Sequence, residues 1–335
     1  MVKKHLRDSV VKNLCFLCVL VPSFCFNYVG TGFASDQRFF EWVEVFREEA
    51  VATGINSTII DQALAEVKLL PRVIELDRNQ PEGRQTFATY LQRVVPRSRV
   101  SAARERLRKH HELLQLVAND YQVQPRFIVA LWGIESDFGR YTGGFSVINA
   151  LATLAYDGRR DTFFRAELID ALRILEQEEI PLSLMTGSWA GAMGQSQFMP
   201  SSYHRFAIDH DQDGRRDIWS NHADIFASIA NYLHSSNWQY DQTWGRKVLL
   251  PEMFDDGLTG IQNIKTISYW QELGVRRTDG QDLPTRQLDA SIVLPDGIDG
   301  DAFMVYQNFH VTLAWNRSIY FALAVGILAD RMLEH

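Results

Sequence analysis

Apolar residues recur every three or four positions over most of the chain, the spacing that places them on one face of an α-helix. This pattern predicts two amphipathic helices over residues 38–70, the first closed by Gly54 and the second ended by Pro71. The stretch 71–97, which is interrupted by proline and glycine, is expected to be irregular. A third helix is predicted over residues 98–119, and its Arg and Lys residues indicate a solvent-exposed face.

A further helix is predicted to begin at Pro125, because the fixed φ of proline suits the first residue of a helix. Helical spacing continues as far as Trp238, but from Trp244 the chain consists of short runs rich in β-forming residues. Turn sequences such as Pro295-Asp296-Gly297 separate these runs. Residues 316–333 return to helical spacing. The expected fold class is therefore mainly α (α+β), with a small β insertion towards the C-terminal side.

The first residues have a different pattern. A basic start is followed by the apolar run Leu14–Val29 and by small residues up to Ala34. This order is typical of a secretory signal peptide over residues 1–34, cleaved after Ala34, and the alternative is an uncleaved membrane anchor. A lipoprotein site at Cys25 is disfavoured because the bulky Phe24 precedes it. The leader contains all the cysteines, so the mature chain is expected to rely on its core rather than on disulfides: Cys15, Cys18 and Cys25.

The net charge argues against one class of partner. The whole chain carries −7, and residues 1–34 carry +3, so the remainder carries −10. An acidic protein repels the phosphate backbone, which argues against nucleic acid as a partner. A glycan partner is compatible with this charge.

One carboxylate, Glu135, falls within the apolar helix that begins at Pro125. Gly139 is the predicted helix stop, so Glu135 lies near the C-terminal end, where the helix dipole disfavours a second negative charge. Apolar neighbours at Leu131 and Phe138 also disfavour the charge. Both effects raise the pKa, as a general acid near neutrality requires. The alternative is an ordinary Glu that faces water at a helix end, which is the commoner case.

The loop over residues 188–203 combines features of a ligand-binding groove. Gly191 and Gly194 permit tight turns and close backbone approach. Polar side chains that can bind hydroxyls or amides alternate with apolar ones on which a sugar ring can stack: Ser188, Gln195 and Gln197, and Trp189, Met193 and Phe198. A purely structural loop that leads into a helix near Pro200 explains the pattern equally well.

A second loop, the acidic loop over residues 209–224, has the spacing of a calcium site. Carboxylates alternate at Asp209, Asp211 and Asp213, and Gly214 follows. By comparison with an EF-hand loop, Arg215 would supply a backbone carbonyl and Asp217 a water-linked ligand. Ser220 stands where the closing Glu of an EF-hand belongs, and Asp224 could serve instead in a longer loop. We therefore expect weak Ca²⁺ affinity, and the alternative is a solvated acidic turn.

These segments, in their order and spacing, resemble the lytic murein transglycosylase B family from about Phe39 to Leu333. The matching segments are ALWGIESDFGR, LATLAYDGRR, GSWAGAMGQSQFMPSSY, DHDQDGRRDIW, ANYLHSSNW and WNRSIYFALAV. The resemblance implies a lysozyme-like catalytic core with an additional helical region. After the signal peptide, the expected regions are a helical region over 35–120, the lysozyme-like core with the acidic calcium loop over 121–243, the small β insertion over 244–315 and a closing helix over 316–335.

The resemblance also implies the reaction. The family cleaves the β-1,4 bond between N-acetylmuramic acid and N-acetylglucosamine in peptidoglycan and forms 1,6-anhydromuramic acid without adding water. Glu135 matches the sole catalytic acid/base, and the acetamido group of the substrate would stabilise the oxocarbenium-like centre. No second carboxylate is then needed, unlike in the glycosidases that use a carboxylate pair. Asp137 is expected to point elsewhere, and the location implied is the periplasm.

Further site residues carry over from the resemblance. The substrate groove would be lined by Ser188, Met193, Gln197, Tyr232 and Asn316. The calcium loop would use Asp209, Asp211, Asp213, the carbonyl of Arg215, and Asp224 as the closing ligand, and no organic cofactor is expected. Two residues depart from the family, because Trp315 and Phe321 stand where tyrosines are expected, which removes two hydroxyl groups.

Three functions remain to be distinguished. Peptidoglycan glycan strands are the expected substrate of a lytic transglycosylase, and cell-wall synthesis proteins are candidate partners. A lysozyme-type muramidase would hydrolyse the same bond but should carry a second carboxylate, for which the sequence offers no convincing candidate. A non-catalytic glycan-binding protein of the wall would tolerate loss of Glu135, whereas here Glu135 lies in an intact motif.

Overall fold

The computed structural model describes residues 30–79 and 85–334. Most of the predicted signal peptide, 1–34, lies outside the described residues. Helix α1 runs over Gly30–Ala52 and α2 over Ser57–Leu64, which confirms the two predicted helices in this part of the chain.

The next region is more helical than its sequence indicated. Helices α3, Pro71–Arg78, and α4, Phe87–Val94, occupy the stretch expected to be irregular. Pro71 starts a helix rather than only ending one, because its missing N–H is not needed at the first helical position. The predicted helix 98–119 is two helices, α5, Arg97–Lys109, and α6, His111–Tyr121, which meet at His110.

The central part follows the predicted order. Helix α7 begins at Pro125, as predicted. From α7 to the β insertion the helices and strands are α7, Pro125–Ser136; β1, Phe145–Ser146; α8, Val147–Asp157; α9, Asp161–Glu176; β2, Thr186–Gly187; α10, Pro200–Phe206; and α11, His222–Ser235. Strands β1 and β2 form a short antiparallel pair that flanks the start of the loop 188–203.

The predicted β insertion forms one antiparallel sheet with the strand order β4-β6-β7-β3-β5. Gly245 pairs with Val305, and Ser291 also pairs with Val305 from the other side, which sets the register of β3, β7 and β6. The elements are β3, Gly245–Leu249; β4, Lys265–Thr266; α12, Ile267–Glu272; β5, Arg276–Arg277; β6, Asp289–Val293; and β7, Ala302–Val305.

The end of the region predicted as the β insertion is helical. Helix α13 covers Gln307–Trp315, and α14 covers Ile319–Arg331. Asn308, Phe309 and Thr312 lie on one buried face of α13, the spacing that selects a helix rather than a strand. The fold is thus mainly helical with one small sheet, as predicted. Among the described residues no single helix is long and apolar enough to cross a membrane, while α13 and α14 together meet that criterion by length and composition and lie at 120° to each other.

Two large apolar cores hold the helices. Helix α7 packs against α5, α11 and α14 in one core. The N-terminal helices pack with α8, α9 and the loop 188–203 in the other core. Trp315 packs against both cores. The end of α7 therefore lies where elements of both cores meet, and this is the position of the site described below.

Gly326 brings the sheet close to the central helices, and its substitution tests that contact. A methyl group at Gly326 of α14 would overlap the indole ring of Trp244, whose Nε1 donates to Asp330 of the same helix at 2.9 Å. We expect Gly326→Ala to lower the free energy of unfolding by about 1–3 kcal/mol, since overpacking forces the ring or the helix to move. Urea denaturation measures this change. Gly144→Ala, at an exposed position with no neighbour within 4 Å, is the control and should change stability little; equal losses in both variants would contradict the packing argument.

Candidate active site

The end of α7 is built by an unusual run of backbone conformations. The helix ends at Ser136, three residues before the predicted stop at Gly139. The chain then adopts positive φ at Asp137, Phe138 and Gly139, with values of 51°, 61° and 82°. The N–H group of Asp137, in the αL conformation, donates to the carbonyl oxygen of Gly133 four residues back, which is the αL type of helix cap, and the N–H group of Phe138 donates to the carbonyl oxygen of Trp132. Non-glycine residues rarely hold this conformation, so surrounding contacts must stabilise it.

Asp137 is stabilised by two arginines. Its carboxylate accepts hydrogen bonds from Nε of Arg99 at 3.2 Å and from Nε of Arg140 at 2.8 Å, and the residue is 8% exposed. The two guanidinium groups balance its charge and occupy both of its oxygens. The carboxylate of Asp137 therefore stabilises the turn after α7.

Glu135, in the last turn of α7, has a partly exposed surface, and its carboxyl group is surrounded by protein. Nε1 of Trp315 donates a hydrogen bond to Oε1 of Glu135 at 2.6 Å. Burial raises the pKa of Glu135 from its ordinary value of 4.5 to about 7, and the hydrogen bond from Trp315 acts in the opposite direction. The predicted rise in pKa is confirmed, and burial is its largest cause.

Gln195 joins α7 to the acidic loop, a role that the sequence did not reveal. Its Oε1 accepts from Nε1 of Trp132 at 2.7 Å, and its carbonyl oxygen accepts from Oγ of Ser136 at 2.7 Å. Its backbone N–H and its Nε2 donate to the carbonyl oxygens of Ile218 and Trp219, both at 2.8 Å. The side chain is thus used inside the protein and not for a substrate hydroxyl. In the sequence, only the glycine directly before it, Gly194, pointed to a constrained environment.

Ser188 and Gln197, the other two polar residues predicted to line the groove from this loop, also have internal partners. Oγ of Ser188 accepts from the N–H of Ala192 at 3.0 Å, and Nε2 of Gln197 donates to the carbonyl oxygen of Thr142 at 3.0 Å. Both side chains remain partly exposed, so both can also face a ligand. Met193 differs from the prediction: it is completely buried in a core, so its side chain presents no surface to a ligand in this structure.

Aromatic rings form the wall next to Glu135. The rings of Tyr232 and Trp315 lie 4.6 Å apart, and Phe198 lies 5.3 Å from Trp315. The hydroxyl of Tyr232 donates to the carbonyl oxygen of Ala314 at 2.7 Å. Asn316 is exposed and follows Trp315 directly. The structure therefore connects Tyr232 to Glu135 through Trp315, and the indole of Trp315 supplies a donor where a tyrosine was expected.

A cavity of about 410 Å³ lies beside Asn316. Phe321, where the sequence comparison with the family leads us to expect a tyrosine, lines it but is 6% exposed and packs into the core of α7 and α14. The cavity is lined by Gln85, Tyr90, Asn316, Arg317, Ser318, Tyr320 and Phe321. The cavity is large enough for part of a saccharide, and of the predicted groove residues Asn316 contributes to its lining.

Three carboxylates of the acidic loop converge as predicted. One oxygen each from Asp209, Asp211 and Asp213 lies within 4.8 Å of the others. The Asp209 carboxylate also accepts from the N–H groups of Asp213 and Gly214, which curls the loop around the cluster. Hard oxygen ligands in this arrangement suit Ca²⁺.

Asp224, the predicted closing ligand, accepts hydrogen bonds from within the acidic loop. It is completely buried, and its two oxygens accept from the N–H groups of His210 and Asp217, each at 2.8 Å. Burial raises its pKa to about 6, and these hydrogen bonds oppose the rise. In this structure Asp224 tethers the ends of the loop, and the three converging carboxylates do not include it. Arg215, the predicted carbonyl ligand, donates its N–H to Asp213 at 2.9 Å within the same loop.

Comparison with known proteins agrees with this fold and site. The transglycosylase SLT domain matches residues 38–330, which is most of the chain. The chain therefore belongs to the SLT-domain transglycosylase family. Within that family it is similar to the membrane-bound lytic murein transglycosylase B of Escherichia coli strain K12, with 29% identity over 290 residues that cover 83% of this chain and 78% of the relative.

Solved structures of two relatives have the same fold. SltB3 from Pseudomonas aeruginosa, in complex with NAG-anhNAM-pentapeptide, is 44% identical with a TM-score of 0.85, over 88% of this chain and 79% of that chain. The Escherichia coli lytic transglycosylase Slt35, in complex with calcium, is 27% identical with a TM-score of 0.75, over 90% of this chain and 94% of that chain. The lysozyme-like core and the lytic transglycosylase class expected from the sequence are both confirmed.

Gln195→Ala tests the junction between α7 and the acidic loop. The change leaves the buried N–H of Trp132 and the carbonyl oxygen of Trp219 without their partner, and each unpaired group costs free energy. We expect a loss of about 2–3 kcal/mol in the free energy of unfolding, measured by urea denaturation. Gln62→Ala, at an exposed position of α2, is the matched control and should change stability by less than about 0.5 kcal/mol. A Gln195→Ala variant as stable as this control would disprove the role of Gln195 as a junction.

Proposed function

We propose that this protein cleaves the β-1,4 bond between N-acetylmuramic acid and N-acetylglucosamine in peptidoglycan, with Glu135 as its only acid/base. The observation that carries the proposal is the state of Glu135: burial raises its pKa to about 7, so a proton is available on the carboxyl group near neutral pH. The family of the chain and its likeness to lytic transglycosylases support the same reaction.

The reaction proceeds in two proton transfers. Neutral Glu135 protonates the glycosidic oxygen as the bond to C1 of the muramic acid breaks, and the acetamido oxygen of the same sugar stabilises C1. The carboxylate of Glu135 then takes the proton of the C6 hydroxyl while that oxygen attacks C1 and displaces the acetamido oxygen. The product is 1,6-anhydromuramic acid, the neutral form of Glu135 is restored, and no water is consumed.

The geometry favours this reaction over hydrolysis. Hydrolytic glycosidases of the carboxylate-pair type need a second carboxylate, either to activate water or to form a covalent intermediate. Asp137 is the nearest carboxylate along the chain, and Arg99 and Arg140 occupy its oxygens. The partly exposed Ser188, Gln197 and Tyr232 and the exposed Asn316 would bind the glycan strand around Glu135. Met193 would support this groove from beneath, because it is buried.

Glu135→Gln tests the assignment of the acid/base. The amide is similar in size but cannot donate a proton to the glycosidic oxygen, so we expect anhydro-muropeptide release from purified peptidoglycan to fall by at least about 10²-fold. Mass spectrometry of the products measures this change. Glu112→Gln, an exposed Glu in α6, is the control and should retain full activity.

The same products separate the three candidate functions. Anhydro ends from the unmodified protein, lost in Glu135→Gln, agree with the proposal. Reducing ends would indicate a muramidase, and intact glycan strands would indicate a binding protein. Anhydro products at the normal rate from Glu135→Gln would refute the role given to Glu135.

We also propose that the acidic loop holds a structural Ca²⁺. The convergence of Asp209, Asp211 and Asp213 supports this, as does the hydrogen bonding of Gln195 to the carbonyl oxygens of Ile218 and Trp219. The ion would neutralise the repulsion between the three carboxylates and stiffen the loop that contacts α7 through Gln195. Arg215 would contribute its carbonyl oxygen, and Asp224 would hold the loop ends or join the ligands after a local rearrangement.

Thermal unfolding with added calcium tests this site. At a Ca²⁺ concentration 100 times the dissociation constant, binding to the folded state should add about 2.7 kcal/mol of stability and raise the melting temperature. Asp211→Asn removes one of the ligands and should reduce the rise, whereas Asp256→Asn, an exposed Asp in the β insertion, should not. A melting temperature that does not respond to Ca²⁺ would count against the site.

The location follows from the substrate. Peptidoglycan lies outside the cytoplasmic membrane, so we propose that the chain is exported by the segment 1–34 and acts in the periplasm. An uncleaved leader that anchors the protein to the inner membrane is the alternative. Cell-wall synthesis proteins would be partners that bring the enzyme to its substrate.

A further inference from the structure

The hydrogen bond between Trp315 and Glu135 has a direction that cannot reverse. The indole Nε1 is a donor only, and it lies 2.6 Å from Oε1 of Glu135. Oε1 must therefore be the acceptor whether the carboxyl group is neutral or ionised. A tyrosine hydroxyl, which can both donate and accept, would not impose this choice.

The indole ring is held in place by contacts that do not involve Glu135. It lies 4.6 Å from the ring of Tyr232 and 5.3 Å from that of Phe198. Tyr232 also donates its hydroxyl to the carbonyl oxygen of Ala314, the residue before Trp315. These contacts fix the C-terminal end of α13, so the position of the donor does not depend on the charge of Glu135.

We propose that Trp315 is a positioning residue that assigns both proton transfers to Oε2 of Glu135. With Oε1 bound to the indole, the proton of the neutral acid lies on Oε2. Oε2 gives this proton to the glycosidic oxygen as the C1–O bond breaks. The lone pair on Oε2 then accepts the proton of the C6 hydroxyl as the new C1–O6 bond forms, so the two steps balance on one oxygen.

The hydrogen bond from Trp315 to Glu135 also limits how far burial raises the pKa of Glu135. Burial raises the pKa of Glu135, and donation from Trp315 lowers it because the hydrogen bond strengthens when the acceptor is charged. A still higher pKa would favour the acid step but would leave the intermediate carboxylate too unstable. Trp315 thus serves the step in which Glu135 is a base as well as the step in which it is an acid.

The wild-type protein provides a direct test. The chain has eight tryptophans, so a sample labelled with ¹⁵N-tryptophan has at most eight indole N–H signals. We expect one signal to move downfield with a midpoint near pH 7, as Glu135 ionises, and Glu135→Gln to abolish that movement. The Trp315 signal is assigned by its loss in Trp315→Phe. If the Trp315 signal does not titrate, the inference is wrong.

The pH dependence of activity provides the second test. The proton of the acid must be present at the start, so the wild-type rate should fall as pH rises through about 7. Trp315→Phe keeps an aromatic ring but loses the donor. We expect its alkaline midpoint to move up by roughly one pH unit, because the ionised form loses a charge-assisted hydrogen bond, and its maximal rate to fall about tenfold or more.

The control is another indole in the same part of the fold. Nε1 of Trp219 is buried and has no hydrogen-bond partner within the described part of the chain, so Trp219→Phe removes an N–H without breaking a bond seen there and should leave the midpoint unchanged. The inference rests on the proposed role of Glu135, and the two can fail separately. Retained anhydro products from Glu135→Gln would overturn the role of Glu135. An unshifted midpoint in a folded Trp315→Phe protein would overturn only the role of Trp315.

Discussion

The site depends on one constraint: a carboxyl group must be partly removed from water at the end of a helix without losing its fixed position. Burial raises the pKa of Glu135 to about 7, and the role proposed for it as an acid also requires accurate placement of its carboxyl group. The end of α7 is therefore held from several directions. Asp137 is bound by Arg99 and Arg140, and Gln195 binds the last turn of the helix.

Each of these contacts joins α7 to a different part of the chain. Gln195 links it to the acidic loop, so an ion bound there would stabilise the turn that carries Glu135. Trp315 links it to α13, which follows strand β7 directly. The position of strand β7 in the small sheet thus sets where α13 begins, and α13 carries Trp315. At this position the indole of Trp315 supplies the hydrogen-bond donor to Glu135.

Predictions that depended on neighbouring residues were the most accurate. The start of α7 at Pro125 was predicted correctly, because proline affects only its own turn of helix. The convergence of Asp209, Asp211 and Asp213 was predicted for a similar reason, since alternate residues in one tight loop can direct their side chains to a common point. The predictions were less accurate over 71–97, where two short helices gain their stability from packing rather than from a strong sequence pattern.

The sequence by itself determined the mainly helical fold class and the family, and it singled out Glu135 as the residue proposed to act as acid/base. Only the tertiary structure decided how that residue is held, because burial and long-range hydrogen bonds depend on which faces of the elements meet. Trp315 is 180 residues from Glu135 along the chain, and no local spacing relates the two. In the same way, the buried positions of Met193 and Asp224 follow from the packing of several elements, although their sequence contexts suggested groove and metal ligands.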